Sequence, residues 1–229
     1  MKTLGLIGGM SWESTQTYYQ LINAGVKQRL GGLNSAKLVL YSVNFAEIEQ
    51  MQAQGEWLQA AKVLSRAALS LQTAGAEAIM ICTNTMHKIA PEIEAVVSVP
   101  LLHIADATAM ELQQQRIEHV ALLGTAFTME QDFYKQRLLD KGVRVSIPNQ
   151  PQRAEIHRII YDELCQGKIL PTSRDTFLQV IDSLQQQGAQ GVILGCTEIG
   201  LLIEQAHTTV PIFDTTAIHA AAAVDWSLH

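Results

Sequence analysis

Short apolar runs alternate along this chain with longer segments in which apolar residues recur every third or fourth position. The short runs have the length of buried strands, and the spacing in the longer segments is typical of helices with one buried face. Strands that alternate with helices form parallel sheets covered on both faces. The pattern predicts an α/β fold with strands at Leu4–Ile7, Lys37–Ser42, Ala78–Ile81, Leu101–His103, Val120–Leu123, Val143–Ile147, Gly191–Leu194 and Ile212–Phe213. Helical spacing is clearest at Glu56–Thr73, Ala154–Cys165 and Ser173–Gln187.

The two halves of the chain carry the same order of segments. An apolar run, a glycine and a tyrosine-bearing polar segment occur at Gly5–Ile22 and again at Ala121–Leu138. Each half then places one cysteine after a Gly-Ala pair and an apolar run, and a Val-Pro pair follows. Because equivalent residues of the two halves are separated by nearly the same number of positions, the pattern indicates a tandem duplication. The predicted pseudo-symmetric domains are residues 1–115, which contain Cys82, and residues 116–229, which contain Cys196, with a C-terminal helix that can cross back to the first domain.

Composition narrows the class of protein. Of the 229 residues, 48% are hydrophobic and 17% are charged, which is ordinary for a compact domain. The net charge is −6 and no Lys/Arg cluster occurs, which argues against a nucleic-acid partner. No apolar stretch has the length that crosses a bilayer, and the N-terminal run breaks at Gly8-Gly9, so we expect neither a membrane partner nor a signal peptide. Three cysteines without a CxxC pair predict reduced thiols and a cytoplasmic protein.

The predicted topology brings polar loops to one edge of each sheet. In parallel α/β sheets, ligands bind beyond the carboxyl ends of the strands. Cys82 and Cys196 both lie at such ends, as do the segments Gly8–Ser11 and Gly124-Thr125. If the two halves face each other, these loops form a cleft with one thiol on each wall. The Pro-containing segment Pro148–Gln152 is expected to be a surface loop elsewhere.

Two thiols on opposite walls fit the inversion of a carbon stereocentre. Inversion requires removal of a proton from one face and return of a proton to the other, and two bases achieve this without movement of the substrate. A thiol, with a pKa of about 8.5, is usable both as base and as acid near neutral pH, and a helix N-terminus lowers that pKa. The segments after both cysteines look like helix starts, with Asn84 or Thr85 and Thr197 as caps. Such N–H groups can hold a substrate carboxylate.

Other interpretations of the same residues remain open. A cysteine after an apolar run is often a small buried hydrophobe, which is the expectation for Cys165. A Cys–His hydrolase would need one thiol, with His87, His103 or His219 as its partner. The histidines show no metal-ligand spacing, so no metal site is predicted. The glycines near the N-terminus form neither GxGxxG nor a Walker loop, so a nucleotide site is weakly indicated.

Three motifs resemble one known family. The segments Cys82–His87 (CTNTMH) and Gly195–Gly200 (GCTEIG) are similar to the paired signatures of the aspartate/glutamate racemase superfamily. The segment Gly8–Thr15 (GGMSWEST) resembles the aspartate racemase branch, close to the broad-specificity amino-acid racemases. The resemblance implies two α/β domains, a homodimer, and racemisation with two cysteine bases and no PLP or other cofactor. It also implies that Cys196 deprotonates the L-enantiomer and Cys82 the D-enantiomer.

The same resemblance implies a set of substrate contacts. These candidates are Met10, Gln52, Thr83, Asn84, Thr85, Thr128, Lys168 and Thr197. One departure concerns the predicted loop between Asn44 and Trp57, which lacks the basic residues of aspartate-specific members and offers Gln50 and Gln52 instead. Lys168 either supplies a basic contact or is an ordinary solvated lysine in a helix C-terminal turn. Aspartate or glutamate is therefore the first expectation for the substrate, and neutral amino acids are possible.

Two competing functions fit the same motifs. The first is a cis–trans isomerase of a small diacid, in which one cysteine attacks as a nucleophile. The second is a two-domain protein that binds a small ligand without chemistry, which leaves the paired thiols unexplained. An amino-acid racemase accounts for both thiols and is the leading hypothesis.

Overall fold

The computed structural model describes residues 1–229 and divides them into two units by internal contacts. Unit 1 consists of Met1–Ile104 and His219–His229, and unit 2 consists of Ala105–Ile218. The predicted boundary after residue 115 lies farther along the chain than this division. The exact limits of the two domains stay a prediction. No helix in the structure has both the length and the apolar character required to span a membrane.

Unit 1 contains a three-stranded parallel sheet. Its strands are β1 (Leu4–Gly8), β2 (Leu38–Ser42) and β3 (Ala78–Ile81), in the order β2–β1–β3. The predicted strand at Leu101–His103 is wrong as an extended element, because only Leu101 bridges to Ile79. One residue pair is too short a contact for a strand, although it lies at the expected edge.

Unit 1 contains four whole helices and most of a fifth. They are α1 (Trp12–Leu30), α2 (Phe45–Ala53), α3 (Trp57–Thr73), α4 (Ala90–Glu94) and the end of α11 (Thr215–Leu228). Helix α3 confirms the predicted helical segment. Helix α2 replaces the loop expected after the second strand. Asn44 caps its N-terminus by accepting from the Ala46 N–H, and Ile48 and Gln52, four residues apart, form its buried face.

The core of unit 1 lies on both faces of its sheet. Ile7, Ile79 and Ile81 pack on one face with α3. The other face joins Leu6 and Met80 to buried residues of α1 and of the C-terminal part of α11. Successive strand residues point to opposite faces, so strands buried on both sides are apolar throughout. This explains why the strand signals are continuous apolar runs.

Unit 2 repeats the topology with one more full strand. Its strands are β4 (His119–Gly124), β5 (Arg144–Ser146), β6 (Gly191–Gly195) and β7 (Ile212–Asp214), all parallel, in the order β5–β4–β6–β7. β4, β5 and β6 correspond to β1, β2 and β3, and β7 corresponds to the single bridge at Leu101. The α/β class with two parallel sheets is confirmed.

Six helices lie wholly or almost wholly in unit 2, and apolar spacing in the sequence predicted two of them. They are α5 (Ile104–Gln114), α6 (Ala126–Glu130), α7 (Asp132–Leu139), α8 (Gln150–Asp162), α9 (Pro171–Gln186) and α10 (Ile199–Leu202). Apolar residues of α8 and α9 pack with Ala121, Leu123, Val192 and Leu194 of the sheet. The structure thus confirms the helical spacing at both segments, with shifted ends.

Two local expectations in unit 2 are wrong. The predicted surface loop at Pro148–Gln152 contains the start of α8, because Asn149 and Gln152 form a reciprocal capping box and proline is tolerated in a first helical turn. Cys165 is exposed rather than buried. The helix has already ended there, and in the tight turn Leu164–Gln166 it is Leu164 that occupies the core.

Candidate active site

Both repeated cysteines lie where a parallel sheet presents ligand-binding loops. Cys82 directly follows β3, and its N–H donates to the Ile7 carbonyl of β1 (2.9 Å). Cys196 directly follows β6, the equivalent strand of unit 2. These positions confirm that each thiol lies at the carboxyl end of a parallel strand, which is the edge where such folds bind small molecules.

Side chains in the first turn of α1 form hydrogen bonds to the loops that follow β1 and β3. Ser11 caps the helix by accepting from the Ser14 N–H (3.2 Å), and the Ser14 hydroxyl donates to the Cys82 carbonyl (3.0 Å). The Gly9 N–H donates to the Thr15 hydroxyl (2.8 Å). The hydroxyl residues of the N-terminal motif therefore hold both the β1 loop and the backbone at Cys82.

Gly9 is required by its surroundings. Its φ of +92° lies in the region that favours glycine, and a Cβ there would stand 2.2 Å from the Val43 carbonyl oxygen. The next residue, Met10, is buried at 4% exposure in an apolar cluster. Gln52 of α2 is also buried, and its amide donates to the Met86 sulfur (2.9 Å). Met10, Gln52 and Met86 thus lie in the core of unit 1 on the side of α2, and the role of Met10 and Gln52 toward substrate stays a prediction.

The polar segment after Cys82 turns sharply into a short helical turn. Thr83 is half-buried, whereas Asn84 and Thr85 are buried. Residues Thr85–Ile89 form a 3₁₀ turn, which His87 anchors by donating from Nδ1 to the Thr83 carbonyl (2.8 Å). The structure therefore gathers Cys82, Thr83, Asn84 and Thr85 in one tightly held segment.

Buried histidines stand behind this segment. The His87 ring lies 4.5 Å from the His103 ring and 5.8 Å from the His219 ring, between centroids. His87 Nε2 accepts from the Ile104 N–H (3.2 Å), so its proton is on Nδ1. His219 donates from Nε2 to the Leu102 carbonyl (2.7 Å) and accepts at Nδ1 from the Tyr18 hydroxyl (2.9 Å).

Burial lowers the pKa of both central histidines. For His87 the neighbouring His103 and His219 add to the effect of burial, and for His219 burial lowers the pKa to about 4. Both rings are therefore neutral near pH 7, and their nitrogens are engaged with unit 1 partners. This arrangement disfavours a Cys–His dyad built on His87 or His219. No three His, Cys, Asp or Glu side chains converge in a geometry that holds a metal ion.

The loops of unit 2 carry the remaining candidates. Thr125 caps α6, its hydroxyl accepting from the Thr128 N–H (3.4 Å), and Thr128 is fully buried with its hydroxyl 3.3 Å from that of Thr125. Thr197 is half-buried beside Cys196. Lys168 is exposed, and its ammonium donates to the Gln166 side chain (2.8 Å). That contact fits the alternative of a solvated lysine in a turn, and a role toward substrate stays a prediction.

Sequence reasoning missed Glu198. The Cys196 thiol donates to Oε2 of Glu198 at 2.9 Å, and Glu198 is 9% exposed. The available signal was a difference between the repeats, because Cys82-Thr83 is followed by Asn84 where Cys196-Thr197 is followed by a carboxylate. The sequence therefore showed a carboxylate two residues after a candidate catalytic thiol, and this pattern could have identified Glu198.

The environment raises the pKa of both thiols. For Cys82 the cause is burial, and for Cys196 it is burial followed by the charge and hydrogen bond of Glu198. The sequence suggested that N–H groups at a helix start can lower these pKa values; burial outweighs that effect at both thiols, although the Glu198 N–H does act to lower the pKa of Cys196. Both thiols therefore rest in the protonated state.

The chain matches the family described as Asp/Glu/Hydantoin racemase over residues 7–223. It is 59% identical to a protein of Yersinia pestis, solved as a candidate Asp/Glu racemase, with both chains covered in full and a TM-score of 0.95. An aspartate racemase homologue from Pyrococcus horikoshii OT3 is 35% identical, again with both chains covered in full, and gives a TM-score of 0.89. The broad-specificity amino-acid racemase RacX of Bacillus subtilis is 23% identical over 231 residues, which cover 96% of both proteins. This chain therefore belongs to the Asp/Glu/hydantoin racemase family, a family of isomerases.

Proposed function

We propose that this racemase interconverts L- and D-amino acids with Cys82 and Cys196 as its two bases and without PLP. The observation that carries the proposal is the placement of one thiol at the carboxyl end of the equivalent strand in each of two repeated sheets. In this mechanism one cysteine removes the Cα proton as a thiolate, and the other delivers a proton to the opposite face as a thiol. By analogy with the family, Cys196 acts on the L-enantiomer and Cys82 on the D-enantiomer.

We also propose aspartate and glutamate as the first substrates. The names of the Yersinia and Pyrococcus proteins support acidic substrates, and the name of the Bacillus relative, a broad-specificity amino-acid racemase, supports a wider range of amino acids. Thr83, Asn84, Thr85 and Thr197 would hold the α-carboxylate through hydroxyl, amide and backbone N–H groups, and Met10 and Thr128 would complete the site. Gln52 and Lys168 are the proposed contacts to the side chain.

Exchange of the Cα hydrogen with solvent tests this function. The protein is incubated in D₂O with a panel of L- and D-amino acids and no added cofactor, and loss of the Cα–H signal is followed by NMR and inversion by chiral chromatography. We expect exchange and inversion with aspartate or glutamate, because deprotonation is the first chemical step. A Cys82→Ala/Cys196→Ala double variant is the matched control. Absence of exchange across the whole panel, or a stable thioether adduct as in a diacid isomerase, contradicts racemisation.

We infer further that the protein is a cytoplasmic homodimer. β2 is an edge strand of its sheet, and Leu40 and Tyr41 on it are 48% and 41% exposed, which favours cover by a second copy. The three free thiols fit a reducing compartment. Sedimentation velocity that gives the mass of a single chain contradicts the dimer, and cell fractionation that finds the protein outside the cytoplasm contradicts the location.

A further inference from the structure

Glu198 is placed to exchange a proton with Cys196. The distance between Sγ and Oε2 is 2.9 Å, and an ionised carboxylate only accepts, so the thiol is the donor. The Glu198 backbone N–H also hydrogen-bonds to Cys196, an interaction that favours the thiolate. One residue therefore offers an acceptor for the thiol proton and a donor for the sulfur that remains.

The other repeat has no such acceptor at the corresponding position. Asn84 follows Cys82-Thr83 where Glu198 follows Cys196-Thr197, and an amide does not take up a proton near neutral pH. The two thiols therefore differ in chemistry although their strands are equivalent. Only Cys196 has a carboxylate within hydrogen-bonding distance in its own loop.

We propose that Glu198 accepts the thiol proton of Cys196 and thereby creates the thiolate base inside the site, an inference that rests on the two-cysteine mechanism. The S–H bond breaks and an O–H bond forms on the carboxylate. The thiolate then removes the Cα proton of the L-enantiomer, and the Cys82 thiol protonates the opposite face and becomes a thiolate. The proton on Glu198 then moves through solvent to the Cys82 thiolate, which restores two thiols and one carboxylate.

Unit 2 carries other ionisable groups besides this pair. The Cys165 thiol, in the turn that packs against α10, contributes to the raised pKa of Cys196. Asp214, at the end of β7, accepts from the N–H groups of Thr216 and Ala217. On α8, His157 accepts from the Ala126 N–H. Asp214 is thus engaged in capping α11, and Glu198 is the carboxylate that contacts the thiol.

The proposal has a consequence for the pH profile. In the parent, the resting state with two thiols and a carboxylate holds as many protons as the reactive state with one thiolate and a carboxylic acid. Its reactive population is therefore independent of pH near neutrality. In Glu198→Gln the thiolate forms only by loss of a proton to solvent. Its population, and with it the rate, then rises about tenfold per pH unit below the thiol pKa.

The test compares kcat/KM between about pH 6 and pH 8 for the parent, Glu198→Gln and Glu198→Asp, with the amino acid that exchanges fastest in D₂O. We expect a flat profile for the parent, a slope of about tenfold per pH unit for Glu198→Gln, and a flat profile again for Glu198→Asp. The slope is the same from either enantiomer, because both directions start from a single thiolate. Glu118→Gln, which changes an exposed carboxylate before β4, is the control and stays flat.

Each outcome bears on the proposal. A flat profile for Glu198→Gln overturns it, because the carboxylate is then dispensable for forming the base. Folded variants that are inactive at every pH, Glu198→Asp included, also overturn it and assign Glu198 a structural role. Full racemisation by Cys196→Ala instead overturns the two-cysteine mechanism itself, so the two failures are distinguishable.

Discussion

Cys82→Ala and Cys196→Ala are each expected to lose racemase activity by at least about 100-fold while the fold is retained. A positioned acid or base contributes about 10²–10⁴-fold, and inversion needs both, so removal of either thiol blocks both directions. The fold is expected to survive because alanine replaces the thiol with little change in volume. The measurement is the initial rate of inversion from each enantiomer by chiral chromatography, with circular dichroism to check folding.

Cys165→Ala is the matched control for this experiment. Cys165 is an exposed thiol in a turn, and its effect on the pKa of Cys196 is smaller than those of burial and Glu198, so its loss is expected to change the rate far less than loss of either base. The three variants remove the same chemical group from three places in one chain. A wild-type rate in Cys82→Ala or Cys196→Ala, on every amino acid that the parent racemises, would refute the two-base mechanism.

The free energy of unfolding is expected to fall by about 2 kcal/mol between pH 7.5 and pH 5 from His219 alone. The pKa of His219 is lowered by burial from 6.5 to about 4 in the folded protein. His219 takes up a proton near pH 6.5 in the unfolded chain but only near pH 4 in the folded protein. Stability is therefore lost within that window, and His87, whose pKa is also lowered, adds to the loss.

Chemical denaturation at a series of pH values measures this effect. In His219→Gln the unfolding free energy is lower at pH 7.5, because the contacts to Tyr18 and Leu102 are lost, but its pH dependence between 6.5 and 4 is shallower. His229→Gln removes an exposed histidine at the C-terminus and keeps the slope of the parent. Equal slopes for the parent and His219→Gln would show that His219 does not resist protonation in the fold.

Seven of the eight predicted strands and both thiol positions were readable from the sequence, and the strand at Leu101–His103 was not. Strands buried on both faces produce continuous apolar runs, and the residue that ends such a run lies at the carboxyl edge of the sheet. Cys82 and Cys196 were therefore placed correctly without coordinates. The duplication strengthened this prediction, since the same pattern occurs twice.

Several local features were decided by signals weaker than apolar periodicity. The capping box at Asn149 and Gln152 starts a helix in a segment whose prolines indicated a loop. α2 spans only 9 residues, so its spacing covered too few turns to give a clear signal. Cys165 was assigned to a buried helix face because periodicity does not reveal where the helix has ended.

Partners distant in the chain came only from the tertiary structure. The hydroxyl of Ser14 reaches the Cys82 carbonyl across 68 positions, and Tyr18 reaches His219 across 201. No local pattern encodes such pairs, because side chains meet there through the packing of helices on a sheet. The sequence by itself determined the repeated α/β units and their two thiols. The tertiary structure decided which groups hold the backbone at Cys82 and how burial changes the protonation of the thiols and histidines.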